Sequence, residues 1–485
     1  MTSIEVILRN KGPLLSGELA EIISSNNSAN KEAIRKRLSR VQAPVRRIKG
    51  FFVDNQSFLY LEEQYGREIF FDSLLVAFKK GARRFYAITK AVEYHHGFLR
   101  IEQLPCYTFS PILNLVGHKN ISKIIEDLKN LKVIVVEGDS YRLHPFISPN
   151  TFPNYREYKA VETAKNFILV QFLGWARSLG IISYNTGAFY SEFGKFQWGF
   201  TSPSYINSLT ALTNKTLIPA FVIADVLIGK EATVGDVNFF IEKIKILNAQ
   251  RNLSKFIPFL IVDSVTPEAL QLLKKNGIVV GFVNKLFGYE YSDLLKALIN
   301  TIVNAGAILK RNPDQYLDLI AKLNKLVDGK TNNLRGDLFE LAVGFYHSRL
   351  CQSLDIGKPI NLNGTRRETD VFAIYANEIK IAECKGYKNK VTKEEIEEWL
   401  GEKIPVIRNW ILDQKPYDGK DITFEFWSTG GFEEDALEKI KHVSETSKKY
   451  KVEYYGPSQI IEKAKEVHSR KFNEILKNYY FGEEL

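Results

Sequence analysis

The stretch 366-RRETDVFAIYANEIKIAECKGYK-388 decides how the C-terminal part of this chain is interpreted, because its pattern predicts two apolar strands that meet at a turn. Charged residues stand in unusual places along it. Asp370 lies at the head of the first strand, and Glu383 and Lys385 lie near the end of the second. Side chains two residues apart on a strand project from the same face, so Glu383 and Lys385 are expected to be neighbours. An exposed sheet edge explains one of these charges but not all three.

The sequence around this stretch predicts an alternating α/β domain. An amphipathic helix, 332-NNLRGDLFELAVGFYHSRL-350, precedes it and carries Glu340 among apolar residues. Such an alternation favours a mixed sheet covered by helices. We place the strands and helices at 367–376, 378–386, 392–412, 421–429, 433–449, 451–456 and 457–470.

The residues of this region resemble the PD-(D/E)xK signature of restriction-endonuclease-like nucleases. Asp370 followed by Glu383-Cys384-Lys385 carries the resemblance, and Glu340 is similar to the acidic helix residue of many members. Thr369 stands where the signature nominally has proline. The similarity covers about 140 residues, and it implies a nuclease domain over 332–485 with Asp370, Glu383, Lys385 and Glu340 as catalytic residues.

Phosphodiester hydrolysis gives a reason for these residue types. A divalent ion neutralises the charge that develops on the phosphate and lowers the pKa of a bound water. The resemblance implies Mg²⁺, with Mn²⁺ as a substitute, held by oxygen ligands from Asp370, Glu383, Glu340 and the Cys384 carbonyl. Lys385 is expected to orient the water. The alternative for Glu383 and Lys385 is an ordinary ion pair on a wet face, and Glu368 is expected to be solvated.

The first 150 residues predict two winged helix-turn-helix domains, at 1–66 and 67–150. In the first, two helices precede the basic helix 31-KEAIRKRLSRV-41, whose apolar residues recur at helical spacing. Two strands follow, with a turn at Asp54-Asn55. This order resembles the winged-helix family, in which the third helix enters the major groove of DNA.

Basic residues are concentrated on the elements that would face DNA. From Lys31 to Lys49 there are eight Lys or Arg residues against one acid, Glu32. Attraction to phosphates requires such clustering. The predicted contacts to double-stranded DNA are Arg35, Lys36, Arg37, Arg40, Arg46, Arg47 and Lys49. The alternative is a winged helix that contacts protein and exposes a solvated basic face.

The second predicted winged helix has a weaker charge bias. Its helix carries an apolar stripe of Ile121, Ile124, Ile125 and Leu128, and two strands follow around a turn at Gly138-Asp139. This helix carries Lys119, Lys123 and Lys129 against Glu126 and Asp127. We therefore expect this domain to pack against or position its neighbours.

The region 151–300 predicts a central α/β domain, and 301–331 predicts a helical connector that ends in a polar hinge. Two helices separated by a loop are expected before a strand at 217–230. The segment ADVLIGKEATVGDVNFFIEKI, from Ala224, is similar to AECKGYKNKVTKEEIEEWLGEKI, from Ala382. It keeps an acid, Asp225, but has Leu227 where the lysine would stand. Either the domain is a nuclease copy that has lost catalysis, or the element order recurs by chance.

The whole sequence is typical of a multidomain α/β protein. Its 485 residues are 45% hydrophobic and 25% charged, with a net charge of +10, and an excess of basic residues favours polyanionic partners. Three widely spaced cysteines favour neither a zinc site nor disulfides. No apolar run approaches the about 20 residues of a membrane span and the N-terminus lacks a signal-peptide pattern, so a cytoplasmic location is expected.

These features together predict a Mg²⁺-dependent DNA endonuclease of the restriction or host-defence type, which dimerises to cut both strands. Two alternatives stay open. The first is a nuclease effector gated by a ligand or partner at the central domain. The second is a DNA-binding factor with an inactive nuclease fold.

Overall fold

The computed structural model describes residues 4–26, 31–147, 153–213, 216–327 and 332–481. Within these ranges the chain is a mixed α/β protein with several separate sheets. No helix in the described ranges is both long and apolar enough to cross a membrane. The predicted hinge after the connector falls partly on 328–331, outside the described residues.

The first region pairs a small sheet with three helices. Its elements are α1 (Ile4–Lys11), β1 (Leu14–Leu15), α2 (Ser16–Asn26), α3 (Lys31–Ser39), β2 (Val45–Lys49) and β3 (Ser57–Leu61), with strand order β1-β3-β2. Ile34 and Leu38 of α3 are buried against this sheet. The opposite surface of α3 is therefore left for its basic side chains. Asp54 and Asn55 both adopt positive φ in the β2–β3 connection.

The second region repeats a helix-rich layout around another three-stranded sheet. Its elements are α4 (Glu68–Gly81), α5 (Arg83–Tyr94), β4 (Phe98–Arg100), α6 (Ile121–Asn130), β5 (Ile134–Glu137) and β6 (Ser140–Leu143), with strand order β4-β6-β5. Ile121, Ile124 and Leu128 of α6 are buried. The core of this region is continuous with one face of the central sheet described next.

The central region is built on a five-stranded sheet. Its elements are α7 (Tyr155–Ser178), β7 (Ala188–Phe193), β8 (Phe196–Ser204), β9 (Ala211–Thr213), β10 (Thr216–Ile218), β11 (Ala220–Leu227), α8 (Val234–Asn248), β12 (Phe256–Val262), α9 (Pro267–Lys275), β13 (Val279–Phe282), α10 (Val283–Leu286) and α11 (Tyr289–Val303). The sheet order is β13-β12-β11-β8-β7.

The predicted second helix of the central region is wrong, because the chain forms the β7–β8 hairpin there. Aromatic residues that favour strands fill both arms. The turn at Gly194 and Lys195 has positive φ at both residues, as a tight two-residue hairpin requires. Although Phe196, Trp198 and Phe200 alternate with other residues along β8, glycines and polar residues interrupt the apolar pattern of the hairpin, and the prediction missed it.

The C-terminal region follows two connecting helices, α12 (Ala305–Arg311) and α13 (Pro313–Val327). Its elements are α14 (Asn332–Ser348), β14 (Ser353–Leu362), β15 (Thr365–Ile374), β16 (Glu378–Lys385), α15 (Lys393–Glu398), a π-helical turn (Trp399–Lys403), α16 (Ile404–Leu412), β17 (Asp421–Ser428), α17 (Glu434–Thr446), β18 (Lys451–Tyr455), α18 (Pro457–Glu466) and α19 (Arg470–Leu476). The sequence prediction had no strand at β14.

The central and C-terminal sheets have the same topology. The C-terminal order is β14-β15-β16-β17-β18, which matches β7-β8-β11-β12-β13 strand for strand. In both sheets the first three strands are antiparallel and the last two join in parallel through helical crossovers. One apolar core packs α7 and α11 of the central region against α13 and α14, so the two sheets share a common helical layer.

Candidate active site

Asp370 lies where β15 and β16 begin to separate. The paired residues run from Val371 with Ala382 to Ile374 with Ile379, and Asp370 comes just before the first of these pairs. Its carboxylate accepts a hydrogen bond from the backbone N–H of Cys384 at 2.7 Å. This bond spans the gap between the strands and holds the Asp370 side chain toward the end of β16.

Glu383 lies on β16 with two lysines on one of its oxygens. Lys385 Nζ is 2.9 Å from Glu383 Oε1, and Lys403 Nζ is 2.7 Å from the same atom. Glu383 is buried, with 5% of its surface exposed. The alternative of an ion pair on a wet face is therefore wrong for this carboxylate.

Lys403 is a residue of this site that was not predicted from the sequence. This residue ends the π-helical turn between α15 and α16, and such turns in helices are frequent at functional sites. The signal was present in the Glu-Lys-Ile triplet that closes both of the similar segments, at Glu242–Ile244 and Glu402–Ile404. Only the fold shows that this lysine returns to Glu383.

The acids and lysines shift one another's proton affinity. Burial and the Glu383 carboxylate raise the pKa of Asp370 to about 6, against the opposing charges of Lys403 and Lys385. Burial would also raise the pKa of Glu383, but Lys385 and Lys403 outweigh it and hold that pKa below its ordinary value. The pKa values of both lysines are raised by the acids. The centre therefore contains an ionised glutamate between two fixed ammonium groups.

Glu340 and Glu368 have a partner that the sequence did not predict. Lys159, from α7 of the central region, donates to Glu340 Oε2 at 2.9 Å and also to Glu368 Oε1. The Tyr155 hydroxyl donates to the other oxygen of Glu368. The expectation that Glu368 is solvated is therefore wrong, because both of its carboxylate oxygens are bonded to side chains of α7.

All of these groups line one cavity of about 230 Å³ between the C-terminal sheet and α7. The C-terminal side contributes Asp337, Glu340, Glu368, Asp370, Glu383, Cys384, Lys385 and Lys403. The opposite wall contains Lys159 and Glu162 of α7 and Arg100 at the end of β4. The predicted residues Asp370, Glu383, Lys385 and Glu340 thus lie around one space.

The donor set of this cavity fits a hard divalent ion. No three histidine, cysteine or acidic side chains among the described residues are grouped closely enough to chelate a metal. Mg²⁺, however, keeps several of its waters and is often bound through one or two carboxylates. Asp370 and Glu383 provide two carboxylates on adjoining strands, and backbone carbonyls provide further oxygen donors. The Glu340 carboxylate accepts a hydrogen bond from Lys159, and its role as a metal ligand stays a prediction.

The matching place in the central sheet has a different set of residues. Gly199 of β8 donates its N–H to Asp225 at 2.6 Å, and Lys243 of α8 lies 3.1 Å from the other Asp225 oxygen. Asp225 and Lys243 have no exposed surface. Leu227, two residues after Asp225, is also buried. Asp225 and Lys243 correspond to Glu383 and Lys403 of the C-terminal sheet. Gly199 and Leu227 stand at the places of Asp370 and Lys385.

The predicted DNA-contacting residues lie away from the cavity. Arg35, Lys36, Arg37 and Arg40 are exposed on α3 and its C-terminal end, and Arg46, Arg47 and Lys49 are exposed on β2. Arg46 forms an ion pair with Glu62 at 2.5 Å. None of the seven lines the cavity at Asp370. They form a basic surface on the first region.

Comparisons with known proteins assign no family. No family model matches the chain, and no curated protein matches it. The solved structures to which it is similar include protein VC1899 from Vibrio cholerae, at 10% identity and a TM-score of 0.15, covering 49% of this chain and 54% of that one. They also include the restriction endonuclease FokI bound to DNA, at 13% identity and a TM-score of 0.17, covering 55% and 57%. The chain spans little more than half the length of either.

Proposed function

We propose that this protein is a Mg²⁺-dependent DNA endonuclease of the restriction-endonuclease-like superfamily. One observation carries the proposal: Asp370 and Glu383 lie on adjoining strands and line one cavity, with the Lys385 ammonium 2.9 Å from Glu383. The order of α14 and the five strands that follow also agrees with the PD-(D/E)xK pattern. A restriction or host-defence role is the class of activity that such an enzyme would serve.

The residues of the cavity supply what phosphodiester hydrolysis needs. A divalent ion bound there supplies charge neutralisation for the phosphate and an acidified water. Asp370 and Glu383 would hold the ion, with the Cys384 carbonyl as a further oxygen donor. Lys385, held by Glu383, would orient the attacking water and offset charge on the phosphate. Lys403 would keep Glu383 ionised and fixed in position.

The N-terminal half would hold duplex DNA. The first region has the order helix, strand, helix, helix, strand, strand, which supports a winged helix with α3 as the helix that enters the groove. The exposed cluster Arg35, Lys36, Arg37 and Arg40 supports the same role, since phosphate contacts dominate affinity for DNA. Arg46, Arg47 and Lys49 would contact the backbone from β2. The second region would act as a second, positioning winged helix.

The central region would be a degenerate copy of the nuclease domain. Its identical strand order, the threonine that begins the helix after the acidic strand, and the buried Lys243–Asp225 pair support this origin. A leucine cannot replace an ammonium, and Gly199 offers no carboxylate. The copy would therefore serve as a scaffold. Each chain would then have one active centre, in the C-terminal region.

A plasmid assay tests the proposal. Supercoiled plasmid incubated with the full chain and Mg²⁺ is expected to become nicked and linear, and excess EDTA is expected to stop the reaction. Asp370→Ala and Glu383→Ala are expected to be inactive while remaining folded. Asp421→Ala is a matched control, because Asp421 is an exposed acid on a neighbouring strand of the same sheet. Persistent cutting by either active-site variant would contradict the assignment.

A further inference from the structure

Lys159 connects the central region to the acidic side of the candidate active site. It belongs to α7, yet its ammonium bonds to Glu340 on α14 and to Glu368 on β15. These carboxylates come from two elements that are distant in sequence from Lys159. One cation therefore satisfies two carboxylates that would otherwise repel each other.

The backbone of β14 leaves room for this lysine. Gly357 lies between the ladder pairs Ile356 with Val371 and Lys358 with Thr369, and so stands opposite Asp370. A Cβ atom at Gly357 would lie 2.8 Å from Lys159 Cδ and 3.0 Å from its Nζ. Glycine inside a strand often marks the close approach of another group. The glycine at position 357 thus leaves the space that the Lys159 side chain occupies beside the C-terminal sheet.

Neighbouring contacts fix Lys159 in this place. Tyr155, one helical turn earlier on α7, donates to Glu368, and its ring lies 3.4 Å from the guanidinium carbon of Arg366. Arg156 forms an ion pair with Asp355 of β14. Other residues of α7 share an apolar core with α14. These contacts hold the Lys159 ammonium at the cavity wall.

The ammonium also acts on the acids beyond its two hydrogen-bond partners. Burial raises the pKa of Asp337, and the charge of Lys159 opposes that rise. Burial likewise raises the pKa of Glu340, with Lys159 as the largest opposing influence. A divalent ion bound between Glu340 and Glu368 would likewise oppose the rise in the pKa of Asp337 and Glu340.

We infer that the Lys159 ammonium occupies the position that a second divalent cation would take, so that this nuclease binds one metal ion per active centre. The inference rests on the proposed function, because it assigns the single ion to Asp370 and Glu383. Glu340 and Glu368 serve as positioning residues that hold Lys159. The central region thereby completes the catalytic cavity of the C-terminal domain.

Mn²⁺ binding to the full chain, followed by electron paramagnetic resonance, tests this assignment. The wild type is expected to bind one Mn²⁺ per chain in the cavity, and Asp370→Ala is expected to lose it. Lys159→Met is expected to bind two, because the freed Glu340 and Glu368 carboxylates accept the second ion. Lys159→Met combined with Glu340→Gln is expected to return to one.

Two control variants separate charge from packing. Lys159→Arg keeps the positive charge and is expected to bind one Mn²⁺. Lys358→Met removes an equally buried lysine that is paired with Asp355, and it is also expected to bind one. Two ions in the wild type, or one ion in Lys159→Met, would overturn the inference.

Stability gives a second readout for Lys159→Met. Without metal this variant leaves two carboxylates close together and half-buried, so its melting temperature is expected to fall below that of the wild type. Added Mn²⁺ is expected to raise its melting temperature more than that of the wild type. Failure of Mn²⁺ to restore folding would contradict the inference.

Failure of the inference is distinguishable from failure of the proposed function. The proposed function is refuted if the wild-type chain does not cut plasmid and Asp370→Ala still binds Mn²⁺. A chain that passes both tests but shows one ion in Lys159→Met refutes only the role of Lys159. Faster cutting by Lys159→Met at one bound ion would show that α7 blocks the site instead.

Discussion

At the scale of single residues, Glu383 organises the candidate active site. Its Oε1 atom forms ion pairs with both Lys385 and Lys403. These contacts keep the carboxylate ionised despite its burial. The two lysines have different places in the cavity. Lys385 follows the acid on the same strand, whereas Lys403 approaches from the helical layer. We assign Lys385 to the reaction and Lys403 to the positioning of Glu383.

Lys403→Met is therefore expected to lower the cleavage rate without abolishing cleavage. Removing a group that orients a metal ligand typically costs about 10- to 100-fold in metal affinity or activity. Single-turnover cleavage measured over a range of Mg²⁺ concentrations checks this, and we expect the Mg²⁺ requirement to rise. Lys451→Met is the matched control, because its ion pair with Asp421 is exposed. An unchanged Mg²⁺ requirement would contradict the positioning role.

At the scale of structural elements, the sequence predicted strands well where apolar residues were bounded by clear turns. β15 and β16 follow the quoted stretch closely, and α3 follows its apolar stripe. β14 and the β7–β8 hairpin were missed, because glycines and polar residues interrupt their patterns. No sequence signal indicated Lys159, and the shared Glu-Lys-Ile triplet gave only a weak one for Lys403. Each reaches the cavity through packing between elements that are far apart in sequence.

The pair of Asp225 and Lys243 is expected to matter for stability and not for cleavage. Both side chains are fully buried, and Lys243 also donates to the backbone carbonyls of Cys106 and Gln197. Breaking a buried pair leaves an uncompensated charge, which costs about 3–5 kcal/mol. Asp225→Asn should therefore unfold at lower denaturant concentration while its folded fraction cuts plasmid at the wild-type rate. Loss of cutting in the folded variant would make the central sheet a second working nuclease.

The basic face of α3 is expected to supply phosphate contacts. Replacing Arg35, Lys36, Arg37 and Arg40 together with alanine should weaken duplex binding, and each lost contact should reduce the salt dependence of log K by about one unit. Binding titrations at several salt concentrations measure this slope. Alanine at the exposed Lys123 and Lys129 of α6 is the control and should change it little. An unchanged slope in the α3 variant would assign this face to protein contacts.

At the scale of the whole molecule, two sheets of one topology share a helical layer, but only the C-terminal one carries the acid pair with its lysine. Within the described residues this gives one candidate centre per chain. Cutting both strands of a duplex then requires two chains or two successive nicks. The +10 net charge favours polyanionic partners.

We therefore expect double-strand cutting to depend on dimerisation, through the C-terminal region. Plasmid assays over a range of enzyme concentrations should show linear product rising more steeply than first order. An inactive Lys385→Ala chain mixed with the wild type should increase nicked product relative to linear product. First-order appearance of linear product without a nicked intermediate would argue against a single centre per chain.

The most direct test of the central claim compares Lys385→Ala with the wild type in single-turnover plasmid cleavage with Mg²⁺, alongside DNA affinity and thermal stability. The proposed role of Lys385 predicts that the cleavage rate falls by orders of magnitude, while affinity for DNA and folding stay close to the wild type. A Lys385→Ala chain that cuts at the wild-type rate would contradict the assignment of the active centre.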